Sequence, residues 1–317
     1  MSHLVETMAY AGSTPWHGLG NKLSQNQPIE VWADQAGMNW QIEESPIQYI
    51  TGNNPVMGEL KEYLDSKVLY RSDTLDPLSV VGNRYKAVQP REILEFYRDL
   101  TDYAGFELET AGVLKGGRKL WALAKTGQSS TLKGNDQTNG YVLLATACDG
   151  SMATTAQFTS IRVVCNNTLS IALKGNSPAC VKVRHSTAFD ANKVKKELGI
   201  SVSTWSTFMD EMKELSNRKI NTKEARQFIS SVFSVPTSPN ANQRAMKRIE
   251  ELYNGHGHGS LLESSKGTAY GLLNAVTEYV DHERKARSTD FRLDSAWFGQ
   301  GANLKQQALS QALELVS

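Results

Sequence analysis

With 317 residues, 40% hydrophobic and 21% charged, the chain can bury a full core as one large domain or two, and its composition predicts a soluble globular protein. A net charge of +1 argues by itself neither for nor against nucleic acid, so the distribution of charge has to decide. No apolar run approaches the roughly 20 residues needed to span a bilayer, and no secretion signal opens the sequence, which predicts a cytoplasmic protein. The three cysteines, Cys148, Cys165 and Cys180, lack CxxC spacing and read as buried free thiols.

Residues 1–40 read as an N-terminal arm. Up to Leu60 it is acidic, with Glu6, Glu30, Asp34, Glu43, Glu44 and Glu59 against Lys22. Thr14-Pro15-Trp16-His17-Gly18-Leu19-Gly20 is a compact aromatic element suited to a groove, with a short amphipathic helix over Pro28 to Met38 behind it. Residues 41–186 read as an α+β core domain. Lys67 to Tyr70 and Leu78 to Val81 are strands, extended by Arg84 to Val88 as a hairpin arm. Pro90 opens a helix through Tyr103 that Gly105 ends. Phe106 to Val113 and Lys119 to Ala124 pair around a Lys115 to Arg118 turn, and Gly127 to Asn139 follows as a polar loop.

The centre of the chain is a hairpin of Tyr141 to Cys148 and Ser151 to Phe158 around Asp149-Gly150, the dipeptide chemistry of a type I′ turn. Ser160 then caps a helix carrying Ile161, Val164, Cys165, Leu169 and Ala172, ended by Gly175, which makes a ββα core. The β-branched residues of Arg162 to Leu173 support a third strand instead; the capping pattern favours the helix. Residues 187–317 read as a helical C-terminal region, with helices over Ala191 to Leu198, Thr204 to Arg218, Lys223 to Val235 and Ala241 to Tyr253. A strongly apolar stripe follows at Ala269, Leu272, Leu273, Val276, Tyr279 and Val280. Ser295 to Gly299 reads as an aromatic turn and Leu304 to Val316 as a terminal helix. The fold class is therefore α+β: antiparallel hairpins, then a mostly helical part.

Charge concentrates in the middle. Gly112 to Asn135 holds five basic residues and no acid, and Ser160 to Ile200 holds seven against Asp190 and Glu197. Such clustering creates a field that can follow a polyanionic backbone. Gly255 to Ser265 lacks the Gly-Lys-Ser/Thr of a phosphate loop, His256-Gly257-His258 lacks a nearby acid or Cys to complete a metal site, and no cofactor is expected.

Thr14 to Gly20, Arg162-Val163-Val164-Cys165-Asn166-Asn167-Thr168-Leu169, Asn274 to His282 and Trp297-Phe298-Gly299 together resemble the phage/plasmid-like protein family, a family of unknown function. The resemblance covers essentially the whole chain and implies a setting in the DNA metabolism of mobile elements. The ββα outline is similar at fold level to phage single-strand annealing proteins. Together these imply binding of single-stranded DNA and ATP-independent annealing by a homo-oligomeric ring or filament in recombination or replication. Lys115, Arg118, Lys119, Lys125, Lys133, Arg162, Lys182 and Arg184 would track phosphates, and Tyr85 and Phe158 would stack on bases. The acidic arm would contact the next subunit. The alternatives are a metal-dependent nucleic-acid-processing enzyme, using Glu278, Asp281 and His282 on adjacent helical positions, or a host-interaction protein of a mobile element.

Overall fold

The computed structural model describes residues 5–12, 20–52, 58–164, 166–170, 180–198, 202–233 and 239–316. Within them run β1 (Val5–Ala11), β2 (Asn21–Leu23), α1 (Ile29–Gln35), β3 (Ile42–Ile50), β4 (Leu60–Arg71), β5 (Pro77–Gly82) and α2 (Pro90–Ala104). Then come β6 (Glu107–Leu114), β7 (Lys119–Leu132), β8 (Asp136–Ala147), β9 (Thr154–Arg162), β10 (Asn167–Ser170) and β11 (Cys180–Val183). The helical part is α3 (Ala191–Leu198), α4 (Val202–Asn217), α5 (Thr222–Val232), α6 (Pro239–Glu251), α7 (Ala269–Glu278), α8 (Thr289–Phe298) and α9 (Gln300–Glu314). The class is α+β, as the patterning requires.

One sheet has the order β10-β9-β8-β7-β6-β1-β2, with β11 also paired to β9; a second has the order β3-β4-β5. The chain divides into two compact units of interleaved segments, one of 1–124, 142–156 and 180–197, the other of 125–141, 157–179 and 198–317. In the first, the segment read as an arm supplies β1, antiparallel to β6 and parallel to β2. The Trp16-His17 element lies outside the described residues. Helix α2 starts where Pro90 needs no N–H partner and where Glu92 accepts the Gln89 N–H at 2.7 Å. It stops at Gly105, whose φ of 68° an L side chain resists. Its buried Tyr97 donates toward the carbonyls of Ala122 (2.7 Å) and Val142 (3.0 Å), tying the helix to β7 and β8.

Three readings are corrected. Gly127 to Asn139 is not a loop: β7 continues to Leu132, Gly134 turns with φ 73°, and β8 starts at Asp136. Ser129, Ser130 and Thr131 alternate between exposed and half-buried, which suits a strand as well as a loop. The helix after Ser160 is instead β10, in antiparallel register from Asn167 against Arg162 to Ser170 against Thr159. The Ser160 hydroxyl donates to the Leu169 carbonyl (3.2 Å) rather than capping a helix, and Asn166 takes the positive φ of the turn (53°). Residues 171–175 lie outside the described set. Ser295 to Phe298 is the end of α8, not an open turn. The Asp149-Gly150 reversal is present, but it spans six residues between β8 and β9, with positive φ at Gly150.

The second unit is organised on α7, buried along its whole length. Thr268 caps it, accepting the Gly271 N–H at 3.0 Å. A Cβ on Gly271 would lie 2.0 Å from the Ser265 carbonyl oxygen, backbone against helix with nothing free to yield. Gly271→Ala is therefore expected to lower stability by about 1–3 kcal/mol. Urea denaturation read by tryptophan fluorescence measures it, and a gain in stability would refute the close approach.

Candidate functional site

Two polar arrangements stand out, one in each unit. In the first unit the segments 84–86 and 184–185 run side by side: the Lys86 N–H donates to the His185 carbonyl at 2.6 Å, and His185 Nδ1 faces the Lys86 carbonyl at 3.0 Å. Tyr85 stacks on His185 at 4.4 Å between centroids and 15° between planes, and its hydroxyl donates to the Ala147 carbonyl at 2.6 Å. Burial raises the Tyr85 pKa well above the ordinary phenol value, so the hydroxyl stays a donor. Cations flank this stack along both segments. Arg84 and Lys86 flank Tyr85, while exposed Lys182 and Arg184 alternate with buried Val181, half-buried Val183 and buried His185 at the end of β11. Arg118 is a further exposed cation of this unit; its carbonyl accepts the Cys148 N–H at 2.9 Å, one residue along from the Ala147 carbonyl that receives Tyr85. All five are exposed, and among the described residues no carboxylate forms an ion pair with any of them.

Of the ten residues selected from sequence, Tyr85, Lys115, Arg118, Lys119, Lys182 and Arg184 belong to this unit and Lys125, Lys133, Phe158 and Arg162 to the other. Arg118, Lys182 and Arg184 are exposed, Lys115 and Lys125 half-buried, and Lys119 buried. Lys133 donates to the Ser216 carbonyl at 3.1 Å. Three of the ten leave the set on burial, Lys119 among them. Phe158 is buried with its ring edge-on to Trp205 at 6.1 Å, and Arg162 is buried on Asp136. Tyr85 is an anchor for its neighbours. Arg84 and Lys86 were missed because the Arg84-Tyr85-Lys86 triplet reads as an ordinary strand end; basic residues on both sides of one aromatic were the available signal.

The second arrangement is buried in the other unit. Asp136 receives Arg162 Nε and Nη2, each at 2.7 Å, together with the Ser264 hydroxyl. Arg162 also donates to Ser265 Oγ (2.8 Å), and its guanidinium lies 5.2 Å from the centre of the Tyr270 ring. Nearby, Asp281 accepts the Thr168 N–H (2.7 Å) and hydroxyl (3.1 Å), and Lys305 Nζ spans Asp281 (2.7 Å) and Thr168 Oγ1 (2.6 Å). Burial holds the Lys305 pKa below the ordinary lysine value, partly opposed by Asp281. Asn167 donates to the Asn274 carbonyl (3.3 Å), and its side-chain oxygen faces His282 Nε2 (3.2 Å). Two segments separated by more than a hundred residues, Arg162 to Leu169 and Asn274 to His282, thus meet in one polar cluster.

That cluster does not form the metal site considered from sequence. Glu278 is taken by the His258 N–H (3.0 Å) and Nδ1 (2.8 Å), Asp281 by Lys305 and Thr168, and His282 by Asn167. The three side chains point to three different partners. Among the described residues no group of three His, Cys, Asp or Glu can hold a metal ion. His256 turns away to the Glu251 carbonyl at 3.1 Å. Of the cysteines, Cys148 is buried and its thiol is pushed up to about 12 by burial, which leaves it inert. Cys180 is exposed, against expectation, and Cys165 lies outside the described residues. Among the described residues no helix is long and apolar enough to cross a membrane.

A family model described as Domain of unknown function (DUF932) matches residues 77–297, which hold the five cations and most of the buried cluster. No curated protein and no solved structure matches the chain.

Proposed function

This chain belongs to the DUF932 family, and we propose that it binds single-stranded DNA and anneals complementary strands without ATP in the recombination or replication of a phage or plasmid. The observation that carries the reading is the set of exposed cations Arg84, Lys86, Arg118, Lys182 and Arg184, none of them ion-paired to a carboxylate among the described residues, with the segments of Arg84, Lys86 and Arg184 joined by the Lys86–His185 backbone bond and the Tyr85–His185 stack. Cations on a backbone ordered in this way meet a phosphate backbone with the side-chain freedom alone left to lose. Binding is then sequence-independent, because phosphate contacts position a strand without reading it. Annealing follows if the bases stay turned outward and available to a second strand.

The test is fluorescence anisotropy of a labelled single-stranded oligonucleotide, titrated at several salt concentrations beside the same sequence as duplex. The variant Arg84→Ala/Lys86→Ala/Lys182→Ala/Arg184→Ala changes exposed side chains only and keeps the fold. Each phosphate left without its cation lowers the slope of log affinity on log salt by about 0.7 for a single strand, so a drop of up to about 3 is expected. Failure of the wild type to bind at low salt, or a variant with an unchanged slope, overturns the reading.

A further inference from the structure

We propose that a buried water molecule bridges β8, β9 and α7, held in a small cavity among Thr138, Ser160, Asn274 and Thr277. The site lies in the interior of the second unit and does not rest on the nucleic-acid reading.

The described residues that line this cavity are all buried, the most exposed of them at 8%, and the space that a water-sized body can occupy is about 20 Å³. That volume admits water and excludes a substrate or cofactor, whose pockets run to hundreds of Å³. One part of the wall is apolar, with Phe208 and Leu273, and the rest carries the four polar side chains. A wholly apolar cavity of this size stays dry, whereas one with several polar atoms turned toward it takes water.

The hydrogen bonds of the lining leave two oxygens over. Asn274 Nδ2 donates to the Tyr270 carbonyl at 2.8 Å, one turn back on α7, which leaves Oδ1 as the other end of the amide. Among the described residues nothing donates to Asn274 Oδ1, and the Thr138 hydroxyl has no protein partner. Both residues are more than nine-tenths buried, at 8% and 5% exposed, where an unpaired polar group is costly. They come from β8 and α7, distant in the chain, yet they line one cavity. Two further hydroxyls beside them have already placed their protons. Ser160 donates to the Leu169 carbonyl (3.2 Å) and Thr277 to the Asn274 carbonyl (2.9 Å), so toward the cavity each can only accept.

The protein therefore offers one donor, Thr138, and three acceptors, and a single water completes the set. It accepts from Thr138 and donates to Asn274 Oδ1 and to Ser160 or Thr277, three bonds in all, the usual number for a buried water. The occupant is neutral. Among the described residues no carboxylate lines the cavity, and the charge of Arg162, which borders it, is matched by Asp136 at 2.7 Å. The bridge ties the sheet to α7 beside the point where the two polar segments meet.

A high-resolution crystal structure of the full chain, together with the stability of Thr138→Val, tests this. The expected density is an ordered solvent peak within hydrogen-bond distance of both Thr138 Oγ1 and Asn274 Oδ1. A dry cavity, or a protein group donating to Asn274 Oδ1 in place of solvent, overturns the proposal. Thr138→Val exchanges the hydroxyl for a methyl of similar size at a strand position, where valine is well suited. In a dry cavity that exchange leaves stability unchanged or raises it, because the hydroxyl serves no protein partner. With the water present it takes one hydrogen bond from a buried molecule, and the folding equilibrium constant is expected to fall about fivefold in urea denaturation. A variant as stable as the wild type, or more stable, also overturns the bridge.

Discussion

Asp136→Ala is expected to destabilise the protein by about 3–5 kcal/mol, the usual cost of removing one partner from a buried ion pair. Asp136 is fully buried, and its carboxylate receives two parallel bonds from Arg162 at 2.7 Å together with the Ser264 hydroxyl. The loss is large because of what stays behind. Arg162 sits at the end of β9 and is 3% exposed, and a guanidinium does not shed its proton at any working pH. The alanine variant therefore keeps a full positive charge in the interior with its counter-charge gone. Ser265 Oγ and the Gly259 carbonyl still accept from Arg162, but they are dipoles. The second arm of the experiment separates charge from packing: Asp136→Leu with Arg162→Met removes both charges at similar volume and is expected to recover most of the stability. Urea denaturation of the three proteins gives the comparison. A single variant within about 1 kcal/mol of the wild type would show that the pair is not the support it looks to be.

The same pair marks where the sequence stops being legible. Helices α2, α7 and α9 and the β8–β9 hairpin follow from local pattern, because their start, stop and apolar face lie within one short window of chain. Residues 161–170 do not. Their apolar spacing suits a helix and their β-branched content suits a strand, and the ladder of β10 on β9 decides between them through pairings that no local pattern holds. Arg162 reads as a surface cation until Asp136, 26 residues earlier, is seen to claim it. The basic face shows the opposite case: Lys182 and Arg184 were legible as charge, but Arg84 and Lys86 join them only through a backbone pairing with His185 across 99 residues. Composition thus located the charge, and long-range pairing sorted exposed cations from buried ones.

Asp281→Asn breaks the second buried pair and is expected to cost a similar amount, about 3–5 kcal/mol at neutral pH, but with a different dependence on pH. Lys305 on α9 donates to Asp281 and to Thr168 Oγ1, and is 4% exposed. Burial already holds its pKa below the ordinary 10.5, while Asp281 pulls it back up. With the carboxylate gone only the downward push remains, so the folded-state pKa of Lys305 falls further. A lysine whose pKa is lower in the folded than in the unfolded chain binds fewer protons when folded, and stability then rises with pH across the window between the two values. The deficit of Asp281→Asn relative to the wild type is accordingly expected to shrink as the pH is raised from neutrality toward about 10, because the buried amine can lose its proton. Asp136→Ala gives the control: an arginine left in the same predicament cannot discharge, and its deficit stays level over the same range. Urea denaturation of both variants at several pH values reads the contrast directly. An Asp281→Asn deficit that stays constant or widens with pH would mean that Lys305 is not the group left charged, and that the link between β10, the helical turn Tyr279–Glu283 after α7, and α9 rests on Thr168 instead.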